Sequence, residues 1–176
     1  MGILNVTPDS FSDGGLFTDP EKALHHAITL AEQGAAIIDI GGESTRPGAE
    51  PVQEEEELRR VIPVVERIRK ERPDLVISID TTKYEVARQA LQLGAHIIND
   101  VSGLSKEARF AELCEKFGAA YILMHTQGDP QSMQKNPVYD DVVEDLRTFF
   151  EDKIRVLNQA GVHNILIDPG IGFGKT

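Results

Sequence analysis

Six short apolar runs alternate with segments of helical periodicity, and this predicts an α/β fold around a parallel sheet buried on both faces. An internal repeat supports it. Residues 31–40 (AEQGAAIIDI) align with residues 91–100 (LQLGAHIIND), each reading helix end, glycine stop, buried strand, polar residue. Residues 160–168 (AGVHNILID) form a looser third copy. The third observation is that a polar residue closes every apolar run. Uniform βα repetition fits a TIM (β/α)8 barrel better than a doubly wound sheet, although spacing alone does not separate the two. A barrel needs eight strands and typically about 250 residues. Six units fit in the 176 residues present, so the expectation is one domain, 1–176, incomplete at its C-terminus, with open edges on its first and last strands.

The elements follow in order. Ile3 and Leu4 open a short strand. A helix starts from Thr18 or Asp19 as N-cap with Pro20 at its first position, buries Leu24, Ala27, Ile28 and Ala31, and stops at Gly34. The second strand covers 36–40 and the second helix 53–72, where Pro63 falls inside the apolar stripe and marks a candidate kink. The acidic run 54–57 suits the first turn of that helix and reads as a solvated face. Strand three covers 75–79. The next helix carries Val86, Ala87, Ala90 and Leu91 and ends at Gly94. Strand four covers 96–98, and a helix with Phe110, Leu113, Cys114 and Phe117 ends at Gly118. Strand five covers 120–124. A polar loop, 126–136, leads to a helix over 138–160, and strand six covers 165–167.

Composition excludes several classes. Eighteen basic against 29 acidic residues give a net charge of −11, which argues against nucleic acid or an anionic membrane as partner. No apolar run is long enough to span a bilayer, and no secretory signal opens the chain. One cysteine, Cys114, permits no internal disulfide and no Cys-rich zinc site, and on its apolar helical stripe it reads as core. A reducing, cytoplasmic setting is the expectation. His25, His26, His96 and His163 have no metal-ligand spacing and read as surface or packing residues.

Asn5, Asp39, Asp80, Asn99, His125 and Asp168 stand at the strand ends. Parallel strands direct these ends to one rim, which holds the active site in barrel enzymes. Any single one could equally be a helix cap; six in a row are hard to ascribe to capping. The loop after the first strand (5–15) is rich in turn residues yet carries Phe11. The loop after the second (41–48) offers glycines, two hydroxyls and Arg46, which can clamp a phosphate bidentately.

Residues 1–15 (MGILNVTPDSFSDGG) and 39–49 (DIGGESTRPGA) resemble the two signature loops of the dihydropteroate synthase family. Residues 77–83 (ISIDTTK), 98–103 (INDVSG), 123–128 (LMHTQG) and 167–175 (IDPGIGFGK) are similar to its inner strand ends, in the same order. The resemblance implies a TIM barrel, usually homodimeric. Its members join 6-hydroxymethyl-7,8-dihydropterin pyrophosphate to p-aminobenzoate with Mg²⁺, giving 7,8-dihydropteroate and pyrophosphate. It implies that Asp80, Asn99, Asp168 and Met124 bind the pterin, with Asp168 accepting its paired donors. It gives Asn5 to the metal, Thr45 and Arg46 to pyrophosphate, and Phe11 and Pro47 to the p-aminobenzoate ring, under a lid formed by 7–12. Asn5, Arg46 and Asp80 are then the catalytic residues. Asp39 is expected to bridge the two loops through Arg46 or a water, and His125 to make a structural hydrogen bond.

Strands seven and eight of that family carry further Lys, Arg and His contacts, and its dimer uses late helices. This chain alone is therefore expected to be poorly active and a doubtful dimer. Three rivals stand beside this reading: a P-loop nucleotide hydrolase, a methyltetrahydrofolate–corrinoid methyltransferase barrel, and an inactive pterin-binding piece. The first fails at once, because Pro169 occupies the position where a P-loop before Gly174 needs its first glycine.

Overall fold

The structure, a computed structural model, describes residues 1–7, 19–44, 50–127 and 137–175. Six strands alternate with five helices among the described residues. The strands are β1 (Gly2–Asn5), β2 (Ile37–Gly41), β3 (Val76–Asp80), β4 (Ile97–Asp100), β5 (Ala120–Met124) and β6 (Ile165–Asp168). The helices are α1 (Pro20–Glu32), α2 (Glu54–Glu71), α3 (Tyr84–Gln92), α4 (Phe110–Phe117) and α5 (Val142–Gln159). All five strand pairs are parallel, and the spatial order β1-β2-β3-β4-β5-β6 equals the chain order. A doubly wound sheet reverses its strand order at a switch point. No reversal occurs here, so the sheet has the barrel topology.

Alternation along each strand divides the sheet into two faces. Leu4, Ile38, Ile40, Ile77, Ile79, Ile98, Tyr121 and Leu123 turn outward and are fully buried beneath the helices. Val61, Val65 and Ile68 of α2, Val86 and Ala90 of α3, and Phe110 and Leu113 of α4 close over them. Each fully buried aliphatic side chain contributes roughly 1.5–3 kcal/mol. Among the described residues β1 and β6 each pair on one side only, as expected, and Ile3 and Ile167 on them are 62% and 53% exposed.

Local signals explain the boundaries. The Asp19 carboxylate accepts from the Glu21 and Lys22 amides at 3.0 and 3.4 Å, with Pro20 at the first helical position. Gly118 ends α4 in the left-handed region at φ 64°, where only glycine is unstrained. α2 runs through Pro63 without interruption. α5 begins at Val142, four residues later than expected, because Asp141 caps it through the Val143 and Glu144 amides. β4 continues through Asn99 and Asp100, since ladder pairing, not hydropathy, sets its end. One expectation fails outright: Glu57, read as part of a solvated acidic face, is fully buried.

Candidate active site

Partners across a parallel ladder face the same side of the sheet. Asn5 pairs with Gly41, Gly41 with Asp80, and Asp80 with Asn99, so Asn5, Asp80 and Asn99 share one row on the concave face. Met124 pairs with Asp168, two residues beyond that row on β5 and β6. All five lie at the C-terminal strand ends. Asp39 lies one layer deeper, paired with Ile3 and Ser78. His125 follows Met124 and faces the other way. Its ring meets Phe149 edge-on at 4.8 Å between centroids, and its buried Nδ1 has no hydrogen-bond partner among the described residues. The rim thus gathers five of the six expected strand-end groups once Asp39 is counted as its floor, while His125 faces away from it and packs on Phe149.

Each inward group is held differently. The Asn99 amide donates to Asp39 Oδ2 at 3.0 Å, above the small Ser78 on the intervening strand. Asp39 therefore seats Asn99, while its expected partner Arg46 lies outside the described residues. Burial raises its carboxyl above the ordinary range, and Ser78 and Asn99 pull it partly back. Asp80 receives no hydrogen bond from the described residues. Its carboxyl lies against Gly41, where a Cβ would stand 3.3 Å from Oδ2. Burial raises its pKa well above that of a free aspartate, and the charges of Asp39, Glu57, Asp100 and Glu43 add to the effect. A half-buried carboxylate without donors is ready for a ligand that brings them. A small cavity beside it is lined by Glu43, Ser44, Thr81, Thr82, Val101 and Lys106.

Asp168 is pre-aimed. Its Oδ1 accepts from the Gly170 amide at 2.8 Å. The turn that brings this amide back needs glycine: Gly170 has φ 65°, and a Cβ would stand 2.1 Å from the His125 carbonyl oxygen. Lys175 fastens the same turn to β5 by donating to the carbonyls of His125 and Phe173 at 3.1 and 2.9 Å. Tyr139 donates to the Gly174 carbonyl.

Among the described residues, no three His, Cys, Asp or Glu side chains converge on a metal position. Asn5, exposed at the rim, offers one neutral oxygen donor. That fits a hard cation such as Mg²⁺, which keeps waters and takes most of its oxygens from a phosphate-bearing ligand. Phe11, Thr45, Arg46 and Pro47, and most of the expected lid, lie outside the described residues.

The sequence reading missed four residues. Lys83 bridges Glu43 and the buried Glu57. Asp100, on the helix-facing side, accepts from the Ser102 and Leu104 amides, each at 2.8 Å, and from the Tyr121 hydroxyl at 2.5 Å. Asp100 was legible as an Asx turn, an aspartate two residues before a serine amide. The Glu57 partnership was not, because nothing within a run of four glutamates singles one out.

Part of a parallel βα barrel thus carries a donor-poor carboxylate, an oriented amide and a second carboxylate at its C-terminal rim. Residues 1–176 match the model of the pterin binding enzyme family, and the chain belongs to that family. Its relatives include the dihydropteroate synthases of Synechocystis sp. and Escherichia coli, each 51% identical. The first alignment covers 100% of this chain and 61% of that protein, the second 99% and 62%. Among solved structures, Yersinia pestis dihydropteroate synthase in a sulfonamide drug complex superposes with a TM-score of 0.90 at 48% identity, covering 99% of this chain and 64% of that one. The Xanthomonas albilineans enzyme with 4-aminobenzoic acid gives 0.88 at 48% identity, covering 99% and 62%. The chain thus spans about three fifths of the curated relatives it matches (61% of the first), and its six parallel strands, in chain order, are part of a TIM barrel.

Proposed function

We propose that the protein represented by this chain is a dihydropteroate synthase, a transferase of folate biosynthesis. It would join 6-hydroxymethyl-7,8-dihydropterin pyrophosphate to p-aminobenzoate and release pyrophosphate. The observation that carries this reading is the Asp80 carboxylate, half-buried, without a donor among the described residues, and in one row with Asn99. A pterin edge brings what the row lacks. Asp168 accepts the exocyclic amine and adjacent ring N–H, while Asp80 and Asn99 meet the other ring nitrogens. A hydrogen bond to a charged group contributes roughly 1.5–3 kcal/mol net. Met124, almost fully buried, provides an apolar floor for the ring.

In the reaction the methylene C–O bond to pyrophosphate breaks, a C–N bond to the aniline forms, and the amine loses a proton. The ring spreads the transient positive charge at the methylene, so the protein must hold the diphosphate and neutralise its growing charge. Thr45 and Arg46 are assigned that task, with Asn5 as the ligand of Mg²⁺, which would supply charge neutralisation on the leaving group. The aniline is neutral at pH 7 and needs positioning more than a base. Phe11 and Pro47 are assigned to its ring. No helix of the described residues is long and apolar enough to cross a membrane, and we assign the activity to the reducing cytoplasm.

Calorimetric titration of the chain with 6-hydroxymethylpterin tests the site, and an assay for pyrophosphate release tests the reaction. Saturable pterin binding that Asp80→Asn weakens at least tenfold is the expected result. Absence of pterin binding by the wild-type chain overturns the reading.

A further inference from the structure

We propose that Lys83 is a positioning residue for the loop after β2, acting through a clasp that Glu43 closes across the loop's two ends. The proposal rests on the reading above, in which this loop holds the diphosphate.

Lys83 stands between β3 and α3, two elements away from that loop in sequence. Its ammonium donates to Glu43 Oε2 and to Glu57 Oε2. The other Glu43 oxygen accepts from the Val52 amide at 3.2 Å. One carboxylate thereby joins positions 43 and 52, and the eight residues between them include Thr45, Arg46 and Pro47. The start of the loop is pressed onto α2 at two further points. Arg60 donates to the Gly42 carbonyl at 2.9 Å while holding Glu56 at 2.9 Å. A Cβ on Gly42 would stand 2.8 Å from Val61 Cγ2 and 2.9 Å from Glu57 Cγ, so only glycine lets the strand end approach the helix this closely.

The trio is poorly suited to serve stability alone. Glu57 is fully buried and its Oε1 has no partner among the described residues, so Lys83 is its principal compensation. A buried ion pair can generally be replaced by apolar residues of similar size without loss of stability. What apolar residues could not reproduce is the second branch, from Lys83 through Glu43 to the Val52 amide. Tying the loop ends together removes conformations before a ligand arrives, and that raises affinity by lowering the ordering cost on binding. The pterin row on β3, β4 and β6 receives no hydrogen bond from this clasp; Asp80 feels the charges of Glu57 and Glu43, and the double variant below removes Glu57 together with the opposite charge of Lys83.

The test uses Lys83→Met/Glu57→Leu, which removes both buried charges together, with Lys83→Arg as the conservative control. The companion Glu43→Ala changes a partly exposed residue and leaves the Lys83–Glu57 pair intact. Three quantities are read: hydrogen exchange at the Val52 amide, affinity for inorganic pyrophosphate with Mg²⁺, and affinity for 6-hydroxymethylpterin, which lacks the diphosphate. The clasp predicts that the double variant exchanges Val52 at least tenfold faster and loses at least tenfold in pyrophosphate affinity. It predicts pterin affinity within twofold of wild type, a similar ligand split in Glu43→Ala, and recovery in Lys83→Arg. Unchanged Val52 exchange in the folded double variant, or equal weakening of both ligands, overturns it. If the wild-type chain binds pterin but not pyrophosphate, the assignment of the diphosphate to this loop falls, and with it Lys83's role there. Val52 exchange then still decides separately whether the clasp exists.

Discussion

Asp80 and Asp100 occupy neighbouring strands and opposite faces of one sheet, and they are treated in opposite ways. Asp100 turns toward the helices and is saturated by two backbone amides and the Tyr121 hydroxyl. It orders the turn from β4 toward α4. Asp80 turns toward the concave face and receives no donor from the described residues. The same carboxyl group is structural where the protein completes its hydrogen bonds and ligand-ready where it leaves them open. The difference lies in the partners, since each aspartate is the last residue of its strand.

Asp100→Ala should have the largest effect. It orphans three buried donors at roughly 1–3 kcal/mol each, so urea denaturation at pH 7 should show most of the stability gone. A loss under about 1 kcal/mol would mean the contrast is illusory. Asp80→Asn should do the reverse. Pterin affinity falls ten- to a hundredfold, while stability at pH 7 holds or rises by up to about 1 kcal/mol because a half-buried charge without donors is gone. Calorimetry and thermal melts on one preparation check both, and a variant that loses stability along with affinity would make Asp80 structural.

The pH dependence sharpens the contrast. A carboxyl raised in the folded state binds more protons there than in the unfolded chain. Its contribution to stability is therefore complete below the ordinary aspartate range, near pH 3.8, and is lost as pH rises through its raised value. Wild type minus Asp80→Asn should thus show relative stability falling from acid toward neutral pH, and a flat difference curve refutes the raised carboxyl. Pterin affinity should climb over the same window, because the ring donors select the ionised form. The smallest effect concerns Cys114. Burial pushes its thiol up to about 12. At pH 8 it should react with a thiol reagent only after unfolding, and rapid labelling of the native chain would contradict its place in the core.

Much of this was legible beforehand, for definite reasons. Helix stops such as Gly118, the Asp19 cap and the strand cores obey local rules of backbone conformation and hydropathy. The rim residues Asn5, Asp80, Asn99 and Asp168 were found because strand ends announce themselves by a change from apolar to polar, and Met124 through the family resemblance. His125 was misread because a one-residue step along a strand reverses the face, and only the ladder register fixes which face is inward. Glu57 and Lys83 were missed because their partners lie 26 residues apart. The contact of Asp39 with Asn99 was missed for the same reason, since the two lie 60 residues apart.

The sequence by itself determined that strands and helices alternate, where they cap, and which polar groups end the strands, since these depend on neighbours within a few residues. Tertiary structure alone decided which of those polar groups face inward, which carboxylates are satisfied and which are left open. Those properties depend on distances across the sheet, which no local pattern encodes.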